Sequence, residues 1–157
     1  KTIDMLFVTI SPQQAAQYSY MCVRLKNMIN KMVTARKTLE GIANASFDKS
    51  FAKCVYMLTS ESLQCENEIR AHIDSLNCMN YENEYAEIKK QPEITTMHGI
   101  ESVCNYLEEI YLKSYRKLLK DKKLVSSVKS LIQNQMQLFI SSLTQLRLFN
   151  EVKTGVN

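Results

Sequence analysis

The feature that most constrains this chain is its shortage of helix breakers. Three Gly and two Pro are spread over 157 residues, which leaves little room for the many tight turns of a sandwich or barrel. Long helices are the default, and the apolar residues recur at the alternating spacings of three and four that a helix requires. Ser11-Pro12-Gln13-Gln14 is a capping-box start with Pro at the first helical position. From there a seam runs through Ala15, Tyr18, Cys22, Leu25, Ile29, Met32, Arg36, Leu39 and Ala43, with Arg36 as its one polar interruption. The pattern predicts a first helix over residues 12–44. Asp48 is positioned to cap the next helix, and so short a connection forces the pair antiparallel.

The second helix is expected over 48–77, on the seam Phe51, Val55, Leu58, Ser62, Cys65, Ile69, His72 and Leu76. Residues 78–98 then turn polar over a length that no tight hairpin needs. Fully extended, that linker reaches about 65 Å at ~3.3 Å per residue, against ~43 Å for a helix of the preceding length. Both a crossover along the whole molecule and a local loop therefore remain open. The third helix is expected over 99–120, carrying Val103, Leu107, Ile110, Ser114 and Leu118, and the fourth over 122–150, from Leu124 or Val125 to Leu146. The layout is hairpin, linker, hairpin. It predicts one all-α domain, a four-helix bundle over 11–150, with an N-terminal extension (1–10) and a short tail (151–157).

A chain of this length buries roughly 70% of the surface its unfolded form exposes, so a single core suffices. The 45% hydrophobic and 23% charged residues are near the globular average and argue against a disordered or fibrous chain. No apolar run approaches the ~18 residues of a membrane span, and residues 1–10 lack the apolar core and cleavage site of a signal peptide. The opening Lys1 reads as the stub of a longer or processed chain. Five cysteines, Cys22, Cys54, Cys65, Cys78 and Cys104, form no Cys-x-x-Cys pair. Free thiols behaving as small hydrophobes in a reducing, cytoplasmic setting are the expectation.

Polar residues on the seams are the candidates for function. Ser62, His72 and Gln135 fall among apolar core positions and are expected to form a small polar layer that fixes helix register or lines a ligand pocket. His72 is expected as a hydrogen-bonded core histidine. A phosphotransfer histidine would be exposed and followed three places on by Lys and then Gly, whereas Asp74 and Ser75 stand in that stretch. Arg116, Lys117, Lys120, Lys122, Lys123 and Lys129 cluster at the tip between the third and fourth helices. They either solvate the tip or contact a phosphate-bearing surface, and nucleic acid is disfavoured because no aromatic-basic motif accompanies them. Met21, Met28, Met32, Met57 and Met136 are expected as gap fillers on or beside the seams. Tyr106, Tyr111 and Tyr115 are expected to broaden the third helix's apolar face, with hydroxyls reaching solvent or a dimer surface.

Two blocks carry a family resemblance, over roughly residues 25–150. Leu25 through Ala43, followed by Phe51-Ala-Lys-Cys-Val-Tyr-Met-Leu and Glu68-Ile-Arg-Ala-His-Ile, resembles a helix, short turn and second helix of the bacterial ferritin-like four-helix-bundle family of unknown function. Tyr111-Leu-Lys-Ser-Tyr-Arg-Lys-Leu-Leu-Lys-Asp and Leu131-Ile-Gln-Asn-Gln-Met resemble its third helix and the start of its fourth. The resemblance implies a ferritin-like fold, a type that often holds two metal ions through a Glu from each of two helices and a Glu-x-x-His from each of the others. This chain departs from that set. Its first helix has only Glu40, its fourth presents Gln133, Gln135 and Gln137, and no Glu-x-x-His occurs. The expectation is therefore no cofactor and no catalysis, with Glu61, Glu68 and His72 as ligands if a metal is bound after all. The leading reading is a non-enzymatic structural or interaction protein, in the stress- or envelope-related setting the resemblance suggests, with a protein partner or a second copy of the chain. The alternatives are a metal-binding ferritin-like protein and a binder of phosphate surfaces through the basic tip.

Overall fold

The computed structural model describes residues 11–76 and 99–155. The expected N-terminal extension, the linker and the last two residues lie outside the described residues. Every regular element among the described residues is helical, in four helices. Helix α1 runs Pro12–Ala45, α2 Lys49–Ser75, α3 residues 99–119, and α4 Ser126–Thr154. Among the described residues, none of these helices is long and apolar enough to cross a membrane.

Local chemistry explains the helix ends. The Gln14 amide donates to Ser11 Oγ at 3.2 Å and the Ser11 amide to Gln14 Oε1 at 3.3 Å, a closed capping box. At the start of α2, Asp48 Oδ1 accepts from the amides of Ser50 (3.0 Å) and Phe51 (3.1 Å). Only residues 46–48 separate the two helices, so α1 and α2 run antiparallel. Helix α4 starts at Ser126, later than the expected 122. Asp121 is the cause: its Oδ1 accepts from the Lys123 amide at 2.9 Å and its carbonyl from the Leu124 amide at 3.3 Å, which folds the chain into a turn. Leu124 then plugs the core, 4% exposed.

Contacts across the molecule give the topology. The α4 residues Gln135 and Ser142 bond α2 at Cys65 and Glu61 respectively, so those helices run antiparallel. Early α3 meets late α4, through Glu101 with Arg147 and Cys104 with the Leu143 carbonyl. Late α3 meets early α1, through Asp121 with Arg24. Helices α2 and α3 consequently point the same way, and the end of α2 and the start of α3 sit at opposite ends of an array whose helices are ~40 Å long.

The four seams meet in one core, with Leu25, Met32 and Leu39 from α1, Val55 and Ile69 from α2, Leu107 from α3, and Ile132 and Phe139 from α4 all at most 1% exposed. Three expectations fail here. Tyr111 and Tyr115 are fully buried, with no hydroxyl reaching solvent. Met57 fills no gap, being 56% exposed. Cysteine is not uniformly free: Cys54, Cys65 and Cys104 are thiols, but Cys22 is disulfide-bonded.

The tyrosines differ because α3 changes its winding. It is α-helical over Gly99–Leu107, π-helical over Glu108–Leu112 and α-helical again over Lys113–Leu119. Tyr106 and Tyr111 are five apart, which on a continuous α-helix sets them about 140° apart. A turn closed by i to i+5 bonds swings them together, and both are buried.

Candidate functional site

The densest polar chemistry in the core lies at mid-height, where all four helices contribute. Helix α1 supplies Arg36, α2 supplies Ser62, Cys65, Glu66 and Glu68, α3 supplies Tyr111 and Tyr115, and α4 supplies Gln135. Ser62 and Glu66 are one turn apart and both face α1. Arg36 Nη1 donates to Ser62 Oγ at 3.2 Å, and its Nη2 pairs with Glu66 Oε1. Glu66 Oε2 takes a second guanidinium, Arg70 Nε at 2.8 Å.

Proton counting orients the rest of the layer. Tyr111 has one hydroxyl proton and donates it to the Met32 carbonyl at 3.2 Å. Ser62, 2.6 Å from the Tyr111 hydroxyl, is therefore the donor of that pair. The chain of donors runs Arg36, Ser62, Tyr111, Met32 and links α1, α2 and α3. A second chain closes on α4: Tyr115 donates to Gln135 Oε1 at 3.0 Å, while Gln135 Nε2 donates to the Cys65 carbonyl at 3.0 Å and to Glu68 Oε2 at 3.3 Å. Phe139 sits edge-on to Tyr111, with ring centroids 4.9 Å apart, and lies 6.0 Å from Tyr115.

Electrostatics keeps these groups in single protonation states. Burial works to raise the Glu66 pKa, but Arg36 and Arg70 outweigh it and hold the carboxyl below its ordinary value. Burial raises Tyr111 and Tyr115 well above the usual phenol range and pushes the Cys65 thiol up to about 12. At neutral pH the layer thus contains two neutral phenols, a protonated thiol and a paired carboxylate. The hydroxyl and amide donors of the layer already point at protein acceptors.

Among the described residues, the ligands expected for a metal do not converge. Glu61, Glu68 and His72 all lie on α2, spread over ~16 Å of helix axis, so one ion cannot touch all three. Glu61 accepts from Ser142 Oγ at 2.7 Å, and Glu68 is exposed. Among the described residues, no three His, Cys, Asp or Glu side chains converge. Where a metal would neutralise buried carboxylate, this core uses the Arg36 guanidinium.

Of the expected polar layer, Ser62 (0% exposed) and Gln135 (2%) enter neighbouring hydrogen-bond chains. His72 does not join them: along α2 it lies ~15 Å beyond Ser62 and ~6 Å beyond Glu68, the last residue that Gln135 reaches. Its ring is half-buried, and Nε2 is enclosed without a hydrogen-bond partner among the described residues. Arg36, Glu66, Tyr111 and Tyr115 complete the layer beyond the expected residues. The available signal was Arg36, a long cation on a seam, which when buried requires an anion.

At the tip, Arg116, Lys117, Lys120, Lys122 and Lys123 are exposed and Lys129 is half-buried. Asp121 stands among them and fastens the tip to α1: Tyr20 donates to its carboxylate, and Arg24 Nε lies 3.2 Å away as an ion pair without an aligned hydrogen bond. The Lys123 ammonium sits 4.9 Å from the centre of the Tyr20 ring.

A second feature is an open groove of about 400 Å³ between early α2 and late α4, lined by Lys53, Cys54, Met57, Leu58, Leu146 and Phe149 among others. Its apolar rim is solvent-facing, with Met57 56% and Phe149 51% exposed and Tyr56 and Leu148 beside them. Compared with known proteins, the chain matches no family model, no curated protein and no solved structure.

Proposed function

We propose that this chain is a non-enzymatic, ferritin-like helical protein that acts through protein contacts and pairs with a second copy of itself across the α2–α4 groove. The observation that carries the reading is the groove's apolar rim, because large side chains such as Met57 and Phe149 are left half-exposed beside one another. Charge favours a like partner. Lys53 and Glu61 stand four residues before and after Met57, so an antiparallel two-fold pairing centred there sets each Lys53 opposite the other copy's Glu61. The parallel run of α2 and α3, with Ser62 beside Tyr111 and Cys65 bonded by the Gln135 that holds Tyr115, is an arrangement that ferritin-like folds share, and it supports that part of the reading. The saturated polar layer supports the absence of catalysis.

Sedimentation equilibrium over a concentration series tests the reading. Wild-type protein is expected to dimerise reversibly, and Met57→Asp with Phe149→Asp to remain monomeric with unchanged helical circular dichroism. A wild-type chain that stays monomeric throughout would overturn it.

A further inference from the structure

On the opposite side of the molecule, between α1 and the second half of α3, positive charge outnumbers negative among the described residues. Helix α1 carries no acidic residue before Glu40, and residues 113–120 carry none. Arg24 and Lys31, seven apart and hence two turns along one face, project from α1. Lys113 and Lys117 come from α3, on either side of Ser114 in sequence. Lys31 is exposed but anchored at one point: its ammonium donates to Ser114 Oγ at 3.0 Å, and that hydroxyl gives its own proton to the Ile110 carbonyl at 2.6 Å.

The nearby carboxylates are already committed. Asp121 serves Arg24 and Tyr20, and Glu109 serves Lys113 at 2.8 Å. Neither Lys31 nor Lys117 has a carboxylate partner among the described residues. Desolvation, and then repulsion from Lys117, Arg24 and Lys113, pulls the Lys31 pKa below its ordinary value. An ammonium that is partly desolvated, anchored at one donor and ringed by like charge has two donors left for an incoming anion.

We propose that the surface where α1 meets α3 at Lys31 and Ser114 is a phosphate-binding site, with Lys31 and Lys117 as the direct ligands and Arg24 and Lys113 supplying field. A phosphate oxyanion suits it better than a carboxylate, because its several acceptor oxygens can bridge ammonium groups on two helices at once. The site is independent of self-pairing. It also differs from a general attraction at the helical tip, because it centres on Lys31, which is outside the tip, and on a fixed hydrogen bond.

The full-length chain would be titrated with inorganic phosphate at constant ionic strength, following amide NMR shifts and Tm. Saturable shifts focused on residue 31 and residues 113–117, with a Tm that rises with phosphate, are expected. Lys31→Met should weaken binding by roughly tenfold or more, the loss of a charged hydrogen bond, and Lys117→Met, at an exposed position, by several-fold. Lys37→Met, which removes the same charge elsewhere on α1, should leave binding unchanged. Flotation with vesicles containing phosphatidic acid, against phosphatidylcholine alone, separates two sources of the phosphate. Lys31-dependent capture assigns a lipid headgroup, and phosphate binding without capture assigns a soluble phosphate or phosphomonoester. No saturable response to phosphate, or equal losses in Lys31→Met and Lys37→Met, would overturn the proposal.

Discussion

Tyr111 shows how one side chain sets the character of this core. Its ring packs against Phe139, its hydroxyl binds α1 and α2, and nothing of it reaches solvent. Tyr111→Phe keeps the ring but removes the acceptor for Ser62 and the donor to Met32. A loss of about 1–3 kcal/mol is expected by urea unfolding, because a buried polar group is left unpaired. Glu66 governs the acid side of stability. Its folded pKa lies below the ordinary 4.5, so its contribution is present above the unfolded value and is lost as pH falls through the folded value. Glu66→Gln should therefore flatten the acid limb of Tm against pH below about pH 5, and an acid limb identical to wild type would count against that role. Burial pushes Cys104 up to about 11 and Cys65 up to about 12. Among the free thiols of the described residues, mass spectrometry after iodoacetamide should find Cys54 modified first, and Cys65 and Cys104 only after unfolding.

At the scale of elements, short polar signals decide where helices begin. Asp48 accepts two amides at the start of α2, and Asp48→Ala is expected to cost about 0.5–2 kcal/mol in chemical denaturation. That boundary was legible in the sequence, as was the capping box at Ser11, because both depend on neighbours within three residues. The late start of α4 was less so: Asp121 reads as a break, but which following residues it draws into its turn depends on Leu124 finding the core. The π turn of α3 was not legible at all. Periodicity over residues 99–119 satisfies a plain α-helix, and the wider turn is adopted where Tyr106 and Tyr111 pack beside the other three helices.

At the scale of the whole molecule, the α2–α4 groove and the Lys31–Ser114 contact of α1 with α3 occupy opposite sides, with the core between them. Their energetics should add. Lys31→Met is expected to leave the sedimentation behaviour unchanged, and the Met57→Asp, Phe149→Asp protein to bind phosphate as wild type does. Coupling between the two would point to a relay through the polar layer, since that layer joins all four helices by hydrogen bonds. The sequence by itself determined that the described residues are helical, that they form four helices, roughly where these lie and which faces are apolar, because period and caps are local properties of a few adjacent residues. Only the tertiary structure decided that α2 and α3 run the same way, that Arg36 meets Glu66 and that His72 lies apart from Ser62. Those facts depend on which faces of distant helices are brought together, and no spacing along one helix encodes its partner across the core.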